Sequence, residues 1–231
     1  MTEVVRALIF AVRSGLTRVA DPGKAASMQA YMKSAMPFHG VPKPVRAKML
    51  KPIFAAHPLP DRVTFSNAVQ ILWREAEFRE ERYAAIDLTG LKEHTRHQDA
   101  DLIPLYEEMI VTGAWWDHVD EVAIRRIGPI LRAERERVTP IMTSWARDPD
   151  RWRRRTAVIC QVGAKTGTDT GLLAHAIEVT FDDRDFFLRK GIGWALREHA
   201  KTDPEWVREF VAAHPGLSAL SRREALKHLG G

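Results

Sequence analysis

The run Trp115-Trp116-Asp117-His118-Val119-Asp120 sets an indole and a carboxylate, Trp116 and Asp120, four residues apart, and so on one face of a helix. Asp117 stands about one turn before Asp120. Arg155 follows Asp120 by 35 residues, Lys190 follows Arg155 by 35, and Tyr83 precedes Asp120 by 37. The same step carried outward reaches Arg46 and Arg223. A lone carboxylate in a line of cations suits a polyanionic ligand and one chemical event at the acid. Taken singly, tryptophans are core residues and acids near a helix start are caps or solvated groups. We read Trp115 and Asp117 that way, and the shared spacing sets Trp116 and Asp120 apart.

A step of 33 to 37 residues is the length of a helix-pair repeat. In a stack of such pairs one phase of the repeat maps onto one surface, usually the inner concave one. The expected fold is therefore all-α, a superhelical solenoid with a concave basic face, forming one domain over residues 1–231. The competing reading is an irregular orthogonal bundle in which the spacing is accidental.

The local signals fit helices separated by short breaks. Val4 to Val12 is apolar at helical spacing, and Ala25 to Ala35 is a helix stopped by Met36-Pro37. Val41-Pro42-Lys43-Pro44 leads into a helix over Val45 to Ala56. Thr64 to Ala76 pairs with Glu80 to Thr89, and Asp101 to Val111 with the helix carrying Asp120. Ile127 to Arg147 reads as one helix before Asp148-Pro149-Asp150, then Trp152 to Gln161, an exposed loop over Gly163 to Gly171, and a pair over Leu172 to Phe181 and Phe186 to Ala200. Thr202-Asp203-Pro204-Glu205 is a cap with proline at the first helical position. Trp73, Trp145, Trp152 and Trp206 stand at repeat starts and are expected in the core.

Of the 231 residues 45% are apolar and 28% charged, enough for a continuous core, and the net charge is +5. Arg147, Arg151, Arg153, Arg154 and Arg155 fall within nine positions. The single cysteine, Cys160, lies in an apolar run and is read as a buried small hydrophobe in a reducing compartment. No Cys or His spacing suggests zinc, and His118, beside the proposed centre, is expected at the surface. Charges interrupt the first apolar residues, so no signal peptide is expected. No run approaches the ~18 apolar residues of a membrane span. The expectation is a cytoplasmic protein without membrane, metal or cofactor. Arg132, Arg135 and Arg137 alternate with acids and read as a solvated face.

The sequence Trp-Trp-Asp-x-Val-Asp, Arg155 before a small apolar run, and Lys190-Gly191-Ile192-Gly193-Trp194-Ala195-Leu196-Arg197-Glu198 together resemble the AlkD-type alkylpurine DNA glycosylases. Tyr31-Met32-Lys33 and Ser221-Arg222-Arg223-Glu224-Ala225 extend the match over nearly the whole chain. Gly191 stands where the family pattern has alanine. The resemblance implies HEAT-like repeats and removal of N3- and N7-alkylated purines from duplex DNA by a monomer. It makes Asp120, Trp116 and Arg155 the catalytic set, with Tyr31 and Trp194 near the DNA backbone. Lys33, Arg46, Tyr83, Arg154, Lys190, Arg197 and Arg223 complete the expected DNA-binding residues.

Such a purine is already cationic, so it leaves as a neutral base without a general acid. What remains is to stabilise positive charge on the sugar and to guide a water, which one carboxylate can do. No lysine stands beside Asp120 to form a Schiff base, so lyase chemistry is not expected. The alternative is a non-catalytic repeat scaffold or DNA-structure binder, which has no need of a carboxylate among cations.

Overall fold

The computed structural model describes residues 1–229, and among them every regular element is helical. They divide into two compact units, Met1–His97 and the chain from Gln98 onward.

The first unit holds α1 (Glu3–Arg18), α2 (Pro22–Met32), α3 (Lys43–Ala56), α4 (Arg62–Arg74) and α5 (Arg79–Thr89). Val5, Leu8, Ile9, Val12 and Leu16 recur at three- and four-residue steps, and α1 buries that stripe against α3, α4 and α5. Asp61 caps α4, its Oδ1 accepting from the Thr64 N–H at 2.8 Å. The stretch between α2 and α3 is pinned from α5. Glu80, fully buried, accepts from the backbone N–H groups of His39, Gly40 and Val41 at 3.0, 2.9 and 2.9 Å.

The second unit holds α6 (Ile103–Gly113), α7 (Trp116–Val122), α8 (Gly128–Ala133), α9 (Arg135–Trp145), α10 (Arg151–Ile159), α11 (Thr170–Glu178), α12 (Phe186–His199), α13 (Pro204–Ala213) and α14 (Ala219–Ala225). Four of these begin at a capping aspartate: Asp150 before α10, Asp169 before α11, Asp185 before α12 and Asp203 before α13. As expected, Pro204 occupies the first turn after Asp203. The single helix expected over Ile127 to Arg147 is two. It breaks at Glu134, whose backbone leaves the helical region (φ −130°, ψ 56°) and whose carboxylate accepts from the Ala100 N–H at 2.9 Å. Glu134 thus ties its own break to the start of the unit, a tertiary contact that local periodicity does not encode.

Within this unit α7 packs on α10, α10 on α12, and α12 on α14, so the second helices of successive pairs stand in a row. Side-chain contacts run from repeat to repeat at the spacing seen in the sequence: the ion pairs Arg137 to Asp101, Arg135 to Asp169 and Arg151 to Asp185, and a hydrogen bond between His214 and Glu178. Each joins residues 34 to 36 apart. The period is therefore a contact distance between neighbouring repeats, and the fold is one of helix-pair repeats. Arg132, Arg135 and Arg137 are exposed, and of the loop expected over 163–171 residues 163–169 form a partly exposed loop around one 3-10 turn, while α11 has already begun at Thr170.

Trp73, Trp145 and Trp152 are buried, while Trp206 is half-buried and stacks on Phe210 at 5.0 Å. Cys160 is enclosed, and burial pushes its thiol up to about 12. No described helix is long and apolar enough to cross a membrane.

Candidate active site and nucleic-acid interface

α7 has two faces, and the sequence sorts residues between them. Trp115, His118, Val119 and Val122 fall on three- and four-residue helical steps (115–118–122 and 115–119–122) and turn inward. His118 and Val119 are completely buried, and the Trp115 ring lies 5.3 Å from Phe187 and 6.3 Å from Trp152. This corrects the expectation that His118 lies at the surface: its position in the stripe overrides its polarity. Trp116 and Asp120 share the other face and remain partly exposed. Directly after α7 the chain widens into one π turn, Ala123–Ile127, a local form frequent where side chains are re-aimed for function.

Arg155, on the neighbouring α10, grips the acid. Its Nε donates to Asp120 Oδ1 and its Nη2 to Oδ2, both at 2.8 Å, and its Nη1 donates to the carbonyl of Phe187 on α12. This is the bidentate fork that matches guanidinium to carboxylate. Arg155 is buried, whereas the Asp120 side chain keeps 17% of its surface open. Burial raises the Asp120 carboxyl above its ordinary value; Arg155 pulls it back only in part, and Asp117 adds a little in the raising direction. The two residues that the repeat step aligned are thus in direct contact. Gly191 makes room for this: a Cβ there would sit 3.0 Å from Arg155 Nη1 and 3.3 Å from Ile159 Cγ2.

Lys190, Trp194 and Arg197 occupy successive turns on one face of α12. Both cations reach Glu224 on α14, Lys190 Nζ to Oε1 at 2.7 Å and Arg197 Nη1 to Oε2. Trp194 is partly exposed and Arg223 exposed. Arg154 is engaged elsewhere, donating to Asp183 Oδ2 at 2.8 Å and to the carbonyls of Asp148 and Pro149.

In the first unit, Tyr31 is 74% exposed on α2, and Lys33 is exposed at its end with a left-handed φ of 49°. Arg46 is buried. Its Nε donates to Asp87 Oδ2 at 2.8 Å, and its guanidinium lies 4.8 Å from the centre of the Tyr83 ring. The Tyr83 hydroxyl accepts from Arg79 Nε at 3.0 Å.

The repeat spacing thus anticipated that Asp120 and Arg155 come together, but not that Asp87, Glu224 and the carbonyl of Phe187 would engage the cations. Asp87 was within reach, being one turn after Tyr83. The Phe187 carbonyl carries no signal in its residue type. Among the described residues no group of three or more His, Cys, Asp or Glu is arranged to hold a metal ion.

Comparison with known proteins adds to this geometry. The family model described as "DNA alkylation repair enzyme" matches residues 12–229. A solved structure described as "Predicted DNA alkylation repair enzyme from Enterococcus faecalis" is similar with a TM-score of 0.79 and 29% identity, covering 91% of this chain and 97% of that one. No curated protein matches the sequence.

Proposed function

The chain belongs to the DNA alkylation repair enzyme family, and from that premise we propose that it is a monofunctional DNA glycosylase. It hydrolyses the N-glycosidic bond of positively charged N3- or N7-alkylated purines in duplex DNA, without drawing the base into a pocket. The observation that carries this reading is the Asp120 carboxylate, held at both oxygens by Arg155 yet still partly open, one helical turn from an indole that is also partly open.

The chemistry follows from charge. An alkylated purine departs as a neutral base, so the enzyme supplies no proton to it. Positive charge grows on the deoxyribose, and an ionised carboxylate beside it lowers the barrier most where water is partly excluded. The same carboxylate orients the attacking water. The indole faces of Trp116 and Trp194 favour a nearby cation through their quadrupoles. Arg155 acts first as a positioning residue, because two of its N–H bonds fix the orientation of Asp120. A guanidinium has five N–H bonds, and the three used here leave one on each terminal nitrogen for a phosphate.

Tyr31 and Lys33 in the first unit, and Lys190, Trp194, Arg197 and Arg223 in the second, are the proposed contacts to the DNA backbone. Such contacts position a duplex without reading its sequence. Arg46, Tyr83 and Arg154 serve in this reading to hold the protein's own helices and loops, through the partners given above. The protein acts as a monomeric repeat domain and needs no cofactor.

The test is release of 7-methylguanine from duplex DNA. Wild type releases the base. Asp120→Asn binds the duplex within a few-fold of wild type but excises on the order of a thousandfold more slowly, the scale of removing one electrostatic catalytic group. Equal release by both proteins would remove the carboxylate from the mechanism.

A further inference from the structure

The expected DNA-contacting cations of α12 are not idle in the free protein. Lys190 and Arg197 lie two turns apart, and the carboxylate of Glu224 spans them, one oxygen to each. The bridge is rigidly built. A Cβ on Gly193 of α12 would lie 2.5 Å from the Glu224 Cβ and 2.9 Å from the Ser221 carbonyl, so glycine lets α14 approach this closely. Ser221 Oγ in turn donates to the Arg189 carbonyl at 2.9 Å, tying the same two helices together next to the bridge. The hydrogen bond from Lys190 holds the Glu224 carboxyl below its ordinary value; burial opposes it, and Arg197 adds to the lowering. Arg223, one residue earlier, stays exposed.

A carboxylate and a phosphodiester share one negative charge delocalised over two oxygens. We propose that Glu224 is a resident phosphate surrogate: it occupies the Lys190–Arg197 pair in the free protein and is displaced when a DNA phosphate docks there. This rests on the reading of Lys190 and Arg197 as DNA contacts and goes beyond it. Docking exchanges one anion for another, so these two cations add little to binding on undamaged duplex. Non-specific affinity is almost wholly electrostatic, and holding it down keeps the protein from being sequestered on intact DNA. Glu224 thereby acts as a specificity-determining residue without touching the reacting sugar.

The experiment uses the full chain and undamaged duplex DNA over a range of salt. Glu224→Gln keeps the shape of the side chain and removes its charge. It is expected to tighten binding roughly tenfold at low salt and to steepen the slope of log K against log salt by about 0.9 for each cation released. Lys190→Ala should weaken binding more in the Glu224→Gln background than in wild type. A carboxylate that merely braces the two helices gives the opposite result, weaker or unchanged binding, and that overturns the proposal. If, in the Glu224→Gln background, Lys190→Ala and Arg197→Ala both bind as tightly as Glu224→Gln alone, the underlying contact reading fails, and the proposal with it. Should Glu224→Gln lose its cooperative melting transition, the wild type decides: the side-chain carboxyl 13C resonance of Glu224 must shift as duplex is added, and a stationary resonance rejects the displacement.

Discussion

Two carboxylates, one in each unit, contrast a structural acid with the one proposed to act. Glu80 receives three backbone N–H groups and has no solvent-accessible surface. Its partners belong to the main chain, so neither charge nor direction can change without unfolding the His39–Val41 segment. Asp120 is satisfied just as fully, but by a side chain from the next repeat, and it stays partly open beside Trp116. Its partner is itself a group that a ligand can engage. Both acids accept hydrogen bonds at both carboxylate oxygens; what differs is exposure, and whether the donor is fixed backbone or a side-chain cation.

That contrast is broken or upheld by exchanging the two losses. Asp120→Asn should cost about a thousandfold in excision with little change in melting temperature. Glu80→Ala should do the reverse, because it leaves three buried N–H groups without an acceptor, at roughly 1–3 kcal/mol each before relaxation and water entry. A net loss of about 3 kcal/mol in denaturant unfolding is expected, with excision per folded molecule near the wild-type value. If Glu80→Ala proved as stable as wild type, the clamp on the 39–41 segment would be no more than incidental.

The pH dependence sharpens the same distinction with a smaller effect. The folded state raises the Asp120 carboxyl, chiefly through burial, so folded protein binds that proton more tightly than the unfolded chain does. The stability contributed by this group is therefore present in acid and lost as pH rises through its folded value. Activity is expected to run the other way, because the proposed chemistry requires the ionised form. The excision rate of wild type should fall about tenfold per pH unit below a midpoint lying above the ordinary 3.8, and the residual rate of Asp120→Asn should lack that limb. A wild-type profile flat down to pH 4 would mean that Arg155 holds Asp120 ionised throughout.

The contrast also marks the limits of the sequence. Helix pairs, aspartate caps and the inward tryptophans were legible because local spacing and capping chemistry determine them. The Asp120–Arg155 contact was legible as well, since one repeat length carries a residue to the same place on the next helix. Lateral choices were not. That Arg46 would turn onto Asp87, that Lys190 and Arg197 would share Glu224, and that Glu134 would break a helix to reach Ala100 all depend on which acid lies across a gap. Spacing gives the phase of a residue around its own helix. The partner waiting opposite is set by packing, and His118 shows that packing can override polarity even at the proposed centre.

The smallest predicted effect probes how much adjustment the Arg155 grip tolerates. Gly191→Ala adds a methyl group 3.0 Å from Arg155 Nη1, tighter than ordinary contact, so the guanidinium must give by a few tenths of an ångström. In the middle of α12 the substitution gains ~0.5–1 kcal/mol of helix preference, which offsets the crowding and leaves stability within about 1 kcal/mol of wild type. The shift passes to Asp120 through the paired hydrogen bonds. Misplacing a catalytic group by about 1 Å costs on the order of a hundredfold, so a displacement of a few tenths should slow excision two- to fivefold while binding of undamaged duplex is unchanged. An unaltered rate would show that the direction of the carboxylate is set by α7 alone, and that Arg155 follows it rather than holding it.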